Sequence, residues 1–343
     1  MKIRTFIYII SSLSILTLAS CGGSGNNTEI TSKDSVSQNV PEQLKLLNSQ
    51  LLSDPSNADL YHNRAKYYFN AQSYNEGLAD IKKALNIDST KAAYYLTLSD
   101  LYFVNNKTGN AKTALEKCIR LDDKNIDAML KLAELYLYVL KHEESMKYIN
   151  MALRIDQFNA KAYFMKGMNY KELKDTTRAI SSMQTAVEQD QEYYHAYIQL
   201  GILCAAKKNP LAVQYYKNAI RLSSRSVEAW YNLGKYYQDT EDFKNALETY
   251  TTLIQFDANN VNAHYNMGAI HLLHLKKYDV AINHFTAAIK ANPKYVQAYY
   301  GRGLSYQAKG DIKEAKVNFQ SCLAINPKYD PAQTALKQLG QVN

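Results

Sequence analysis

Apolar and small residues recur along this chain at the three- and four-residue spacing of a helix's buried face, and the whole pattern then repeats. Large side chains stand at Tyr61, Tyr95, Met129, Tyr163, Tyr197, Trp230, His264 and Tyr299, and two turns further along most of these units at Tyr68, Tyr102, Tyr136, Tyr170, Tyr237 and Tyr306. Between the two series lies a small residue: Ala65, Ser99, Ala133, Gly167, Gly201, Gly234, Gly268 and Gly303. A second helix in each unit supplies its own small residue at Gly77, Ala111, Ser145, Ala179, Ala212, Ala246, Ala281 and Ala315. A large side chain at these places would hold the partner helix off, so each unit reads as two helices packed closely and antiparallel. Units begin near Ala58, Ala92, Ile126, Ala160, Tyr194, Val227, Val261 and Val296, at steps of 34, 34, 34, 34, 33, 34 and 35 residues. The two irregular steps fall at Lys208-Asn209-Pro210 and Lys276-Lys277-Tyr278, where a changed turn leaves the stack intact. The pattern predicts an all-α solenoid of eight helix pairs over residues 58–329. Lone helices in 41–57 (Pro41 to Leu52) and 330–343 (Pro331 to Gly340) would cover its two open ends, as such arrays require for solubility.

One unit carries a recognisable signature. The segment from Ala229, with Trp230, Leu233-Gly234, Tyr237, Phe243, Ala246, Tyr250 and a turn near Ala258, resembles the tetratricopeptide repeat (TPR). The resemblance extends over the other units. It implies a right-handed superhelix whose first helices line a concave channel, and it implies a protein or peptide ligand in that channel.

The amino terminus carries different information. Lys2 and Arg4 precede an apolar run from Phe6 to Leu18, which is too short to span a bilayer and is built like an export signal. Leu18-Ala19-Ser20-Cys21 resembles a bacterial lipobox, which implies a signal peptide over 1–20, cleavage before Cys21 and acylation of its thiol, palmitate included. Residues 21–40 are nearly devoid of apolar anchors and are expected to form a flexible tether. Gly22 after the cysteine resembles the sorting pattern of outer-membrane lipoproteins, so the expected place is the cell envelope, at the outer membrane facing the periplasm.

Composition narrows the function. Gly (13) and Pro (6) are scarce and Tyr (29) abundant, which suits packed helices better than a many-stranded fold. The formal charge of +8, or +6 once Lys2 and Arg4 are removed, is spread as alternating signs along the array. That distribution describes a solvated helical surface, and nucleic acid is not an expected partner. Three cysteines remain after Cys21, and Cys118, Cys204 and Cys322 all occupy core positions in distant units, so no disulfide is expected.

Candidate chemistry is sparse. No phosphate loop, dinucleotide fingerprint, nucleophile elbow, CxxC pair or HExxH motif occurs, so no catalytic residue, cofactor or metal site is assigned. His264, His271, His274 and His284 lie in one unit; two of them replace the recurrent large side chain, and a metal- or pH-responsive role is the alternative reading. The expected binding surface is the row directly after the first large side chain: His62, Leu96, Leu130, Phe164, Ile198, Tyr231, Tyr265 and Tyr300. Seven of the eight are apolar or aromatic, which implies cover by a client or by a second copy in a homo-oligomer, unless the superhelix itself buries the row. Asn63, Asn232 and Asn266 stand one position on, and the adjacent pair Asn232 and Asn266 resembles the asparagine ladder with which some TPR proteins hold a peptide backbone. Lys235 and Asn266 match parts of the carboxylate clamp of chaperone-binding TPR domains, but Gln297 and Gly301 stand where its other basic groups belong. The candidate contacts are therefore Phe164, Ile198, Tyr231, Asn232, Lys235, Tyr265, Asn266 and Tyr300, in a tethered scaffold, with a self-associating array as a further alternative.

Overall fold

Every helix begins with amide protons that lack a partner inside the helix, and a short motif in this chain supplies them one. In Asp122-x-x-Asn125, Asp156-x-x-Asn159 and Asp257-x-x-Asn260, the asparagine Nδ2 donates to the aspartate (3.0, 3.1 and 2.8 Å) while its Oδ1 accepts from the third amide of the following helix. Each such turn fixes where a new helix pair starts. The computed structural model describes residues 41–340, which form eighteen helices and no strand. The expected signal, the tether and Cys21 lie outside the described residues.

A first helix, α1 (Glu42–Ser53), precedes eight pairs: α2 (Ala58–Asn70) with α3 (Tyr74–Ile87), α4 (Ala92–Val104) with α5 (Thr108–Leu121), α6 (Ile126–Tyr138) with α7 (His142–Ile155), and α8 (Ala160–Glu172) with α9 (Thr176–Gln189). The series continues with α10 (Tyr194–Ala205) and α11 (Leu211–Leu222), α12 (Val227–Asp239) and α13 (Phe243–Phe256), α14 (Val261–Leu273) and α15 (Tyr278–Ala291), and α16 (Val296–Lys309) and α17 (Ile312–Ile325). A last helix, α18 (Asp330–Gly340), packs its buried Ala332, Ala335 and Leu339 against Phe319 and Cys322. Arg64 ties the other end together: its guanidinium donates to Asn48 of α1 (2.7 Å) and, through two nitrogens, to the buried carboxylate of Asp80 on α3 (2.5 and 2.8 Å). Each pair contacts the next, as in a solenoid.

Within a pair, the small residue of the first helix faces one large side chain of the second, and the two are matched in size. A Cβ added at Gly201 would lie 2.4 Å from the ring of Tyr216; at Gly234, 2.6 Å from Tyr250; at Gly303, 2.6 Å from Phe319; and at Gly167, 2.6 Å from Met183. The earlier repeats keep Ala65 and Ala133 at this position, and there the opposing residue is the smaller Ile81 or Ile149, both fully buried. Close packing forces the trade, since a helix pair at fixed separation has one volume to share. Phe285 fills two such gaps at once, 2.9 Å from a Cβ built on Gly268 and 2.5 Å from one built on Gly301. Gly301 is thus committed to packing, which explains why no basic clamp residue stands there. Cys118, Cys204 and Cys322 are unpaired and buried, and burial raises the thiols of Cys118 and Cys322 to about 11.

The turn inside each pair reverses the chain through one residue with positive φ: Gln72, Asn106, Leu140, Lys174, Lys208, Glu241, Lys276 and, last, Gly310. Leu140, at φ 58° and 65% exposed, combines a left-handed backbone with a side chain that has no local hydrogen bond to offer. The left-handed conformation costs a non-glycine residue about 1–2 kcal/mol, and asparagine least among them. Leu140→Asn, which copies Asn106 of the second repeat, is expected to raise stability by about 0.5–1 kcal/mol. A melting temperature at or below the parent's would refute this.

Candidate functional site

An indentation runs across repeats one to five, lined mostly by the first helices of the pairs. A cavity of about 400 Å³ is bounded by Phe69 of α2, Ser99, Asp100, Phe103 and Val104 of α4, Ala111 and Leu115 of α5, Lys131, Glu134, Leu135 and Leu137 of α6, Lys161, Phe164, Met165 and Met168 of α8, and Tyr193 and His195 at the start of α10. Its floor is apolar and rich in methionine and phenylalanine. Such surfaces adapt to different apolar side chains, because the thioether chain is unbranched and soft.

Four charged groups interrupt the floor. Lys131 Nζ donates to both carboxylate oxygens of Asp100 (2.7 and 2.8 Å) and lies 3.3 Å from Asp127. The pair bridges successive repeats, and burial raises Asp100 toward its neutral form against the pull of Lys131. Glu134 occupies, one repeat on, the position that Asp100 holds on α4. It is half-buried and raised by burial, yet makes no hydrogen bond or ion pair among the described residues.

The candidate contacts read from sequence are distributed differently. Phe164 does line the cavity, with 7% of its surface exposed and its ring 5.0 Å from that of Tyr193. Ile198 is 1% exposed and belongs to the core. Tyr231 packs against Tyr250 (ring centroids 6.2 Å), Tyr265 against Phe285 and Tyr295 (5.8 and 5.3 Å), and Tyr300 against Phe319 and Tyr329 (5.6 and 5.7 Å). Asn266 is buried and donates to the Tyr250 hydroxyl (3.0 Å), so its amide is already engaged; Asn232 is half-buried. Lys235 pairs with Asp239 on its own helix.

The expectation of a solvent-facing row is therefore corrected: the row is part core and part half-buried surface. Leu130, Phe164 and Ile198 are buried, while His62, Leu96, Tyr231, Tyr265 and Tyr300 stay half-buried, and neighbouring rings give some of them partial cover. The cover has a sequence origin. At the residue before a first helix, where four repeats carry a capping asparagine (Asn57, Asn125, Asn159 and Asn260), Tyr193 and Tyr295 stand instead, and Tyr329 holds the same place before α18. Each of these rings closes over the row residue of the preceding repeat. The charged and apolar lining of the cavity sits one position and four positions further along the helices, at Lys131 and Met165 and at Asp100, Glu134 and Met168, and in the last turns at Phe103, Val104 and Leu137.

The imidazoles of repeat seven meet only in part. His264 Nε2 lies 3.1 Å from Ala258 O, and since a carbonyl only accepts, this nitrogen carries the proton. Its Nδ1 lies 3.2 Å from His284 Nδ1, so the two rings share a hydrogen bond. His271 stacks on His284 at 5.7 Å with its Nδ1 buried and unpartnered, whereas His274 stacks on Phe243 at 4.0 Å. Among the described residues no three ligating side chains converge on a metal position. Burial, with His264 and His271 beside it, pushes His284 down to about 4; burial and Lys66 do the same to His62, against the opposing effect of Asp59.

These shifts fix a pH dependence. Between pH 6.5, the ordinary histidine value, and about 4, the unfolded chain binds protons that the folded chain refuses. The stability contributed by the neutral rings is thus present above pH 6.5 and is lost as pH falls toward 4. The melting temperature should decline across this window, and His284→Phe should flatten the decline. An unchanged slope in the variant would place the effect elsewhere.

Comparison with known proteins agrees with this geometry. Family profiles described as tetratricopeptide repeat or TPR repeat match residues 58–91, 92–125, 160–193, 227–260, 272–310 and 296–329, more than half of the chain. The chain belongs to the tetratricopeptide repeat family. Repeats of this family are protein-binding scaffolds and carry no catalytic machinery of their own. The segments 126–159 and 194–226, which complete the array, are helix pairs of the same kind.

Among curated proteins the chain is similar to DnaJ homolog subfamily C member 7 homolog of Dictyostelium discoideum, 23% identical over 183 residues that cover 49% of this chain and 34% of that protein. It is also similar to serine/threonine-protein phosphatase 5 of Rattus norvegicus, 24% identical over 106 residues, 31% of this chain and 21% of that one. The match spans about a third or less of these relatives. Among solved structures, the C-terminal part of a TPR repeat-containing protein from Cytophaga hutchinsonii superposes with a TM-score of 0.61 at 20% identity, covering 69% of this chain and 98% of that one. PilF of Pseudomonas aeruginosa follows with a TM-score of 0.53 at 14% identity, over 61% and 96%. At such identities the likeness concerns the fold.

Proposed function

We propose that this protein is a membrane-tethered scaffold of a bacterial cell envelope, anchored by an acylated Cys21, which holds a segment of a partner protein in the concave channel of repeats one to five. The observation that carries the reading is the cavity itself: about 400 Å³ of largely apolar space, lined by residues of repeats one to five, in an array that otherwise packs its large residues away. A lipid on Cys21 would supply the membrane attachment, since no helix among the described residues is long and apolar enough to cross a bilayer. The outer membrane, facing the periplasm, is the proposed site, on the strength of the residues around Cys21, and envelope assembly is the proposed setting.

A photocrosslinking side chain placed at Val104, on the cavity rim, tests the groove in cells, with the same group at exposed Ile87 as control. Adducts to the same partner from Val104 and not from Ile87 support the reading. A self-associating array would instead give an adduct to a second copy, and equal labelling from both positions would rule out the channel. Cys21→Ser tests the tether: the protein should leave the membrane fraction or accumulate with its signal attached. Membrane retention of a processed Cys21→Ser protein would exclude acylation as the anchor.

A further inference from the structure

A carboxylate that is half-buried and unpaired is an unusual thing to leave on the floor of an apolar cavity. Moving a charge out of water is costly unless an opposite charge or hydrogen bonds compensate. Asp100, at the equivalent place one repeat earlier, shows the ordinary solution: Lys131 binds both of its oxygens. Glu134 has no such partner among the described residues. Lys131 is occupied by Asp100 and Asp127, and Lys161, the other cation of the cavity, is solvent-exposed and makes no ion pair among the described residues. Glu134 therefore has no partner among the described residues, and Leu135, Leu137, Phe164, Met165 and Met168 line the same cavity with apolar surface.

We infer that the cavity selects a partner segment that places one basic side chain on Glu134 and apolar side chains against α6 and α8. This rests on the channel being the binding surface, and it adds what is recognised there. An incoming lysine or arginine converts an unpaired carboxylate into a charge-assisted hydrogen bond. An acidic residue in its place would leave two like charges in a poorly hydrated space. The apolar floor contributes affinity without much regard to sequence, and Glu134 contributes selection. Lys161 and Lys131 pull on the Glu134 carboxylate from a distance, but neither touches it, so an incoming cation adds the direct contact that is missing.

Residues 22–343 provide the protein for the test, because the apolar clusters that hold the array comprise residues 58–339. The probes are three short labelled peptides with a common Leu- and Phe-rich half, differing at a single position that is Lys, Gln or Glu. Binding is read by fluorescence anisotropy. The lysine peptide is expected to bind about tenfold more tightly than the glutamate peptide. Glu134→Gln should weaken the lysine peptide alone and bring the three together, and Glu134→Lys should reverse their order. Because Glu134 makes no hydrogen bond among the described residues, neither variant removes a contact that holds the fold, and circular dichroism confirms that. If all three peptides bind the parent alike, or if Glu134→Gln leaves the ranking unchanged, the inference is overturned while the channel reading stands. If none binds, or if Val104→Gln on the cavity rim changes no affinity, the channel reading fails and the inference with it.

Discussion

Gly234→Leu should cost the array about 3 kcal/mol or more of local stability, while Lys244→Ala, at an exposed position one helix away, should change it by less than about 0.5 kcal/mol. The reason is geometric. A Cβ alone at position 234 would sit 2.6 Å from the Tyr250 ring, and a leucine adds three more carbons in the same direction. Tyr250 cannot retreat, because it is fully buried and its hydroxyl is held by Gln238 (3.1 Å) and Asn266 (3.0 Å). Thermal melts of the two variants give the comparison directly; equal midpoints would mean that these helices do not pack as described. A rescue sharpens it in repeat eight, where the opposing ring has no hydroxyl. Gly303→Ala alone should destabilise by about 1–3 kcal/mol, and adding Phe319→Ile, which recreates the Ala65 and Ile81 pairing of repeat one, should recover much of that loss.

The positions that were legible in the sequence are those fixed inside one helix pair. The first helix of each repeat starts where the recurrence of small and aromatic residues placed it, from Ala58 to Val296, because one face of one helix carries all the information needed. The groove was less legible, because its exposure depends on contacts between repeats. Whether Tyr265 faces water is decided by Tyr295, thirty residues away, and whether Phe164 does is decided by Tyr193. A signal existed: Tyr replaces the capping Asn before α10, α16 and α18, and an aromatic ring at a helix entrance has to rest on something. The size match between Gly201 and Tyr216, or Gly303 and Phe319, could also have been read by pairing positions about sixteen residues apart. The unpaired state of Glu134 could not, since it depends on where the neighbouring lysines are held.

That account of the tyrosine row leads to the other large effect. Changing Tyr231, Tyr265 and Tyr300 together to alanine should unfold the last three repeats and leave repeats one to five helical. Each ring rests on the large residue of its own second helix, Tyr250, Phe285 or Phe319, and two of them also support the tyrosine that opens the next helix. Removing a buried aromatic ring typically costs about 3–5 kcal/mol; these rings are half-buried, so about 1–3 kcal/mol each is the appropriate scale. Three such losses in adjacent repeats are comparable with the whole stability of a small domain, about 5–15 kcal/mol. In a solenoid each repeat depends mainly on its neighbours, so the damage stays local. Hydrogen exchange should show lost protection from α12 onward and near-parental protection through α2 to α9. Changing the same three residues to phenylalanine keeps the rings and should preserve protection throughout, which separates ring packing from any role of the hydroxyls. If the triple alanine protein melts like its parent, the three side chains are not structural, and the concave face of repeats six to eight again becomes the place to look for a partner.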